Sequence, residues 1–154
     1  MKIYRIAFNM QFIRGENSET LTQATGEAGT GYYFSPMNNR AMGEYYTRDA
    51  KHVWVAKPKS DCNIADLTSN DHIKGIIAVI KENAERMKRD YKGHIVPKVN
   101  KNSYQRFPYA VEQYVNENLA NVDAYLINHN GDGVPSGKQL VIRNLDAFIL
   151  EQLR

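Results

Sequence analysis

One apolar stripe constrains this chain more than any other feature. Ile73, Ile76, Ile77, Ile80, Ala84 and Met87 recur at intervals of three and four, which predicts a long amphipathic helix from about His72 to Tyr91. Ser69, Asn70 and Asp71 supply capping side chains at its start. On its charged face Glu82 precedes Arg86, and Glu85 precedes Arg89, by one i to i+4 step in the favourable order. A second helix is expected from Pro108, a good first helical residue, to about Leu119. A third, shorter one runs through Tyr46, with Asn38 or Asn39 as its cap.

Between the helices the pattern changes to strands. Residues 2 to 8 alternate polar and apolar, Tyr32 to Ser35 is a short aromatic strand stopped by Pro36, and His52 to Ala56 carries a Val-Trp-Val core ended by Pro58. Val122 to Asn128 and Gln139 to Arg143 read the same way, whereas residues 14 to 31 and His129 to Gly137 read as loops. Strands at both ends with helices between them predict an α+β domain rather than alternating βαβ units. At 154 residues and 42% apolar content the chain has material for one core, so a single domain over 1-154 is expected.

A lone cysteine, Cys62, forbids an internal disulfide, and no leader or long apolar run is present, which together point to a cytoplasmic protein with no membrane contact. The net charge of +3 is local. From Lys81 to Lys101 seven Lys/Arg face three acidic residues, Glu82, Glu85 and Asp90. Such a stretch can meet an acidic partner, nucleic acid included, although half of it is the charged face of the long helix.

Several familiar chemistries fail on spacing. His52, His72, His94 and His129 lie at least twenty residues apart, so no metal site is expected. Gly131-Asp-Gly-Val-Pro-Ser-Gly-Lys138 departs from a phosphate loop by one extra residue between its outer glycines, by Pro135, and by Gln139 in the magnesium-binding position. Ser136 is not in a Gly-x-Ser-x-Gly elbow. The segment Gly29-Thr-Gly-Tyr-Tyr-Phe-Ser-Pro36 is different: two glycines, three flat rings and a hydroxyl within a few residues suit a heteroaromatic ligand. The same residues also suit a turn in which Phe34 and one tyrosine face the core.

Gly-Tyr-Tyr-Phe-Ser at 31-35, followed by a helix with Ala41 and Tyr45-Tyr46, resembles the Gly-x-Tyr-Phe-(Ala/Ser/Thr) … Ala-x-x-Tyr signature of the ADP-ribosyltransferase superfamily, with its poly(ADP-ribose) polymerase-like, phage and toxin members. Two later segments follow in the family's order. Asn121-Val-Asp-Ala-Tyr-Leu-Ile resembles the strand that precedes the catalytic one, and Lys138-Gln-Leu-Val-Ile-Arg-Asn-Leu-Asp-Ala-Phe resembles the last catalytic strand with its Asp-containing turn.

The resemblance implies two small, mostly antiparallel sheets with flanking helices and a cleft for NAD as substrate, without a metal. It implies that Arg5 on the first strand holds the cofactor, that Gly31, Tyr33 and Phe34 form the nicotinamide pocket with Ser35 as a hydrogen-bond partner, and that Tyr45 or Tyr46 stacks on the other face of the ring. The implied activity is cleavage of the nicotinamide-ribose bond, with transfer of ADP-ribose to a macromolecule, protein before nucleic acid, or to water. The small size resembles that of phage or bacterial effectors.

Gln139 is the departure. Most active members carry a glutamate there, and a neutral amide can bind the ribose but adds no negative charge to an oxocarbenium-like transition state. Glu27, Glu44 and Asp132 are the nearest substitutes by loop position. A non-catalytic nucleotide- or protein-binding module on the same fold is therefore the alternative, and an unrelated α+β interaction domain a third.

Overall fold

A computed structural model describes residues 10-26, 28-90, 98-99, 107-129 and 133-154. The strands are β1 (Phe12–Glu16), β2 (Ala24–Gly26), β3 (Gly29–Pro36), β4 (His52–Pro58), β5 (Ile64–Asp66), β6 (Ala124–His129), β7 (Gly137–Ile142) and β8 (Phe148–Gln152). The helices are α1 (Arg40–Thr47), α2 (Asn70–Asp90) and α3 (Pro108–Asn118). The mixed α+β class agrees with the expectation. The strands run β5-β6-β7-β3-β1-β4-β8 along one curled path, with β2 on β3. Every pairing is antiparallel except β5 with β6.

The two halves of that path meet at a narrow seam. β1 pairs with β4 through five residues, Phe12 to Glu16, but with β3 only at Phe12↔Pro36 and Ile13↔Ser35. Instead of two separate sheets, the strands therefore form one path with a short join between β1 and β3. Past Ile13 the strands separate, and the Arg14 side chain spans the gap to the Tyr33 carbonyl.

Two apolar clusters lie on opposite faces. On one, the α2 stripe (Ile73, Ile76, Val79, Ile80) and α3 (Ala110, Val111, Val115) cover Tyr125, Ile127 and Val141. Each fully buried isoleucine contributes about 1.5–3 kcal/mol. Within this layer His72 Nδ1 lies 2.8 Å from the Tyr114 hydroxyl, tying α2 to α3. On the other face, Phe12, Phe34, Leu140, Ile142 and Phe148 come together from both halves of the curl.

Local chemistry explains the element ends. Asn39 caps α1 by accepting from Met42 N, and Pro108 opens α3, as its fixed φ favours. The expected Glu82–Arg86 and Glu85–Arg89 pairs do not form. Arg86 instead donates to Asn83 Oδ1 at 3.1 Å, and Asn83 is held by Gln113 on α3. Residues 14 to 31, expected as a loop, contain most of β1, all of β2 and the start of β3. The expected strand at 2-8 lies outside the described residues. Among the described residues, no helix is long and apolar enough to cross a membrane.

Candidate functional site

Antiparallel pairing sets the floor of the site. Tyr33 opposes Val141 and Phe34 opposes Leu140 across β3 and β7, and the same register sets Ser35 beside Gln139. Because successive strand residues alternate faces, Tyr33, Ser35 and Gln139 share one face, while Phe34 and Leu140 share the other. On the first face lies a cavity of about 230 Å³ lined by Ile13, Arg14, Gly15, Tyr33, Ser35, Tyr46 and Gln139. Four of the expected residues thus meet there.

The remaining expectations fall elsewhere. Phe34 is 1% exposed and belongs to the core on the opposite face, so it backs the floor without lining the cavity. Gly31 serves a different close approach: a Cβ there would come within 2.6 Å of Val141 Cγ1 and 2.9 Å of the Ile142 carbonyl, so it lets β3 and β7 pair tightly. Tyr45 is 41% exposed on α1, and Tyr46 is the tyrosine that turns inward. Of the substitute acids, Glu44 forms an exposed pair with Arg40 at 2.8 Å. Arg5, Glu27 and Asp132 lie outside the described residues.

Arg14 and Gly15 were not singled out in the sequence. The Arg14 guanidinium donates from Nη1 to the Tyr33 carbonyl at 3.0 Å, and from Nη2 to Glu16 Oε2 at 3.2 Å and the Thr22 carbonyl at 2.9 Å. Its buried Nε has no partner among the described residues. Glu16 in turn accepts from Asn17 N, Ser18 N, Thr22 N and the Thr22 hydroxyl. Burial alone would raise the Glu16 pKa, but the bonds from Thr22, Ser18 and Arg14 outweigh it and hold the carboxyl below its usual range. Gly15 has no room for a side chain: a Cβ would collide with the Tyr46 carbonyl and lie 2.6 Å from Ala50 Cβ. That glycine lets α1 approach β1 and bring Tyr46 over the floor. The available signal was the apolar pair Phe12-Ile13 running into Arg14-Gly15.

The other polar side chains are held differently. Tyr33 is fixed in place: its hydroxyl donates to the Gly29 carbonyl at 2.6 Å and accepts from Ala28 N at 3.1 Å. Tyr46 is held through its hydroxyl, 2.5 Å from His129 Nε2, with the two rings edge to face. Ser35 and Gln139 are 2% and 7% exposed, and neither side chain hydrogen-bonds a described residue. Their polar atoms open onto the cavity, where water or a ligand can satisfy them. The floor is therefore suited to a ligand that carries both donors and acceptors.

Elsewhere, a cavity of about 200 Å³ is lined by Lys59, Asp61, Asp123, Asn144, Asp146 and Ala147. A larger cavity, about 420 Å³, is lined by Met10, Gln11, Met37 and Asn38, which include no titratable side chain. Burial, with Asp123 and Asp61 nearby, pushes the Cys62 thiol up to about 12, so it is not a reactive nucleophile. Among the described residues no group of three or more His, Cys, Asp or Glu is placed to hold a metal. Comparisons with protein-family models, with curated proteins and with solved structures give no match to this chain.

Proposed function

We propose that this chain binds NAD in the β3–β7 cavity and acts as an ADP-ribosyltransferase, cleaving the nicotinamide-ribose bond and passing ADP-ribose to a macromolecular acceptor or to water. The observation that carries the reading is the convergence of Tyr33, Ser35, Tyr46 and Gln139, drawn from segments about a hundred residues apart, on one cavity. At about 230 Å³ it is smaller than the roughly 300–1,000 Å³ typical of drug-sized ligands, so it would take the nicotinamide end and leave the rest of the dinucleotide outside.

In this reading Tyr33 and Tyr46 offer ring faces to the nicotinamide, Ser35 bonds its carboxamide, and Gln139 bonds a ribose hydroxyl. Arg14, on the strand beside the cavity, takes the place that the resemblance gave to Arg5. The second hydrogen on its Nη1 would be a donor toward the ribose. The acceptor would be a protein before a nucleic acid, and the basic stretch from Lys81 to Lys101 is a candidate contact for it.

Titration calorimetry with NAD, together with an assay of nicotinamide release, tests this. Binding that weakens at least tenfold in Ser35→Ala, and release that rises in Gln139→Glu, are the expected results. Absence of NAD binding would sink the proposal. Binding without release, even in a folded Gln139→Glu protein, would leave the non-catalytic nucleotide-binding module, the reading that the neutral amide at 139 favours.

A further inference from the structure

On the reading of the cavity as an NAD site, one step has no group assigned to it. A hydroxyl that attacks the ribose must shed its proton as the new bond forms, and a base near the reacting atoms takes it. No carboxylate lines the cavity among its described residues. Gln139 is neutral, and the Glu16 carboxylate is occupied by five donors from Arg14, Asn17, Ser18 and Thr22.

The geometry points to Tyr46 and His129 as a proton relay for a hydroxyl acceptor. Tyr46 lines the cavity, and its hydroxyl lies 2.5 Å from His129 Nε2. His129 sits at the end of β6 and pairs with Gly137, while Ile127 pairs with Gln139. Since residues two apart share a face, His129 lies on the same face as Gln139, one step along the ladder. Tyr46 therefore bridges the cavity to an imidazole beside the floor.

The step balances without a further reactant. A lone pair on the acceptor oxygen forms the bond to ribose C1′, and the C1′–N bond to nicotinamide breaks with its electrons kept by the ring nitrogen, which cancels the ring's positive charge. The acceptor proton passes to Tyr46 Oη as the hydroxyl's own proton passes to His129 Nε2. His129 must carry its resting proton on Nδ1 for this, with Nε2 accepting. Tyr46 is the catalytic residue of the pair and His129 the positioning residue that acts through it.

The charged groups on the surrounding elements are already paired. On β7 and β5, Lys138 Nζ is 3.0 Å from Asp66 Oδ2, on α1 Arg40 binds Glu44, and on β1 Arg14 binds Glu16. Tyr45 packs edge-on against Tyr46 from the solvent side.

The test is nicotinamide release from NAD, with water as the acceptor, measured across pH for wild type, Tyr46→Phe and His129→Gln. The relay predicts that wild-type kcat falls toward acid through one ionisation. Both variants lose about 10²-fold in kcat, lose that acid limb, and keep KM for NAD within threefold. Variants that match wild type in rate and profile overturn the relay while leaving the NAD reading intact. A fall in rate that preserves the acid limb overturns it too, because it assigns the pair a purely structural role. No release by wild type at any pH overturns the NAD-cleavage reading, and the relay with it.

Discussion

Two corners of the same cavity treat their polar groups in opposite ways. Where β1 leaves β3, Arg14 makes three hydrogen bonds and Glu16 collects five, so the corner is knitted to the loop at 17–22. On the floor, Ser35 and Gln139 are more buried still, yet their side chains bond no described residue. The first corner has already satisfied its charge and holds shape. The second keeps its hydrogen-bonding capacity for whatever enters. Folding contacts dominate at one corner and open hydrogen-bonding capacity at the other.

The largest way to break this contrast is Arg14→Ala. It takes the cation from the Glu16 carboxylate, which keeps its four other donors, and removes bonds to the Tyr33 and Thr22 carbonyls, and we expect a loss of about 3 kcal/mol in urea unfolding, together with loss of NAD binding. An unchanged unfolding midpoint would show that the corner is not structural. Gln139→Leu sharpens the other side. Replacing an amide that opens onto the cavity should change stability by no more than about 1 kcal/mol, while NAD affinity falls about tenfold; a strongly destabilised protein would mean that the amide has a structural partner.

Glu16→Gln probes the same corner through pH. The folded-state pKa of Glu16 lies below its ordinary value of 4.5, so its contribution is complete above that value and disappears as pH falls through the folded pKa. The variant should be less stable than wild type at neutral pH by about 1–2 kcal/mol. The gap should close on acidification, and thermal melts at several pH values would reveal a gap that does not. Tyr45→Phe has the smallest expected effect, within twofold on NAD binding, because that ring lies on the solvent side of α1. A large loss there would reverse the assignment of the inward tyrosine to Tyr46.

Legibility in the sequence followed the range of the interactions involved. α2 and α3 announce themselves through local periodicity and a proline start, and α1 through Asn39, because those signals act within a turn or two. β1 was hidden because its Arg14 and Glu16 look like loop polarity until the turn back to Thr22 and the Tyr33 carbonyl on β3 are seen to satisfy them. β5 is three residues long and owes its strand character to a parallel partner sixty residues away. At the site, Tyr33, Ser35 and Gln139 were named from motif resemblance, but the choice between Tyr45 and Tyr46 depended on how closely α1 approaches β1. That distance is set by Gly15, whose need for a missing Cβ comes from Tyr46 and Ala50, about thirty residues on.

The alternation along β3 has a consequence for how this protein can vary. Tyr32 and Phe34 pack into the core cluster, whereas Tyr33 and Ser35 line the cavity, so neighbouring codons answer to different selective pressures. A saturation library across residues 32 to 35, sorted first for soluble expression and then for ligand capture, should separate positions that answer to folding from those that answer to binding. Expression would filter 32 and 34, capture would filter 35, and Tyr33, which also packs against the helix-side core and bonds Ala28 and Gly29, would answer to both. New ligand preferences could then be sought at 35 without reopening the question of whether the chain folds.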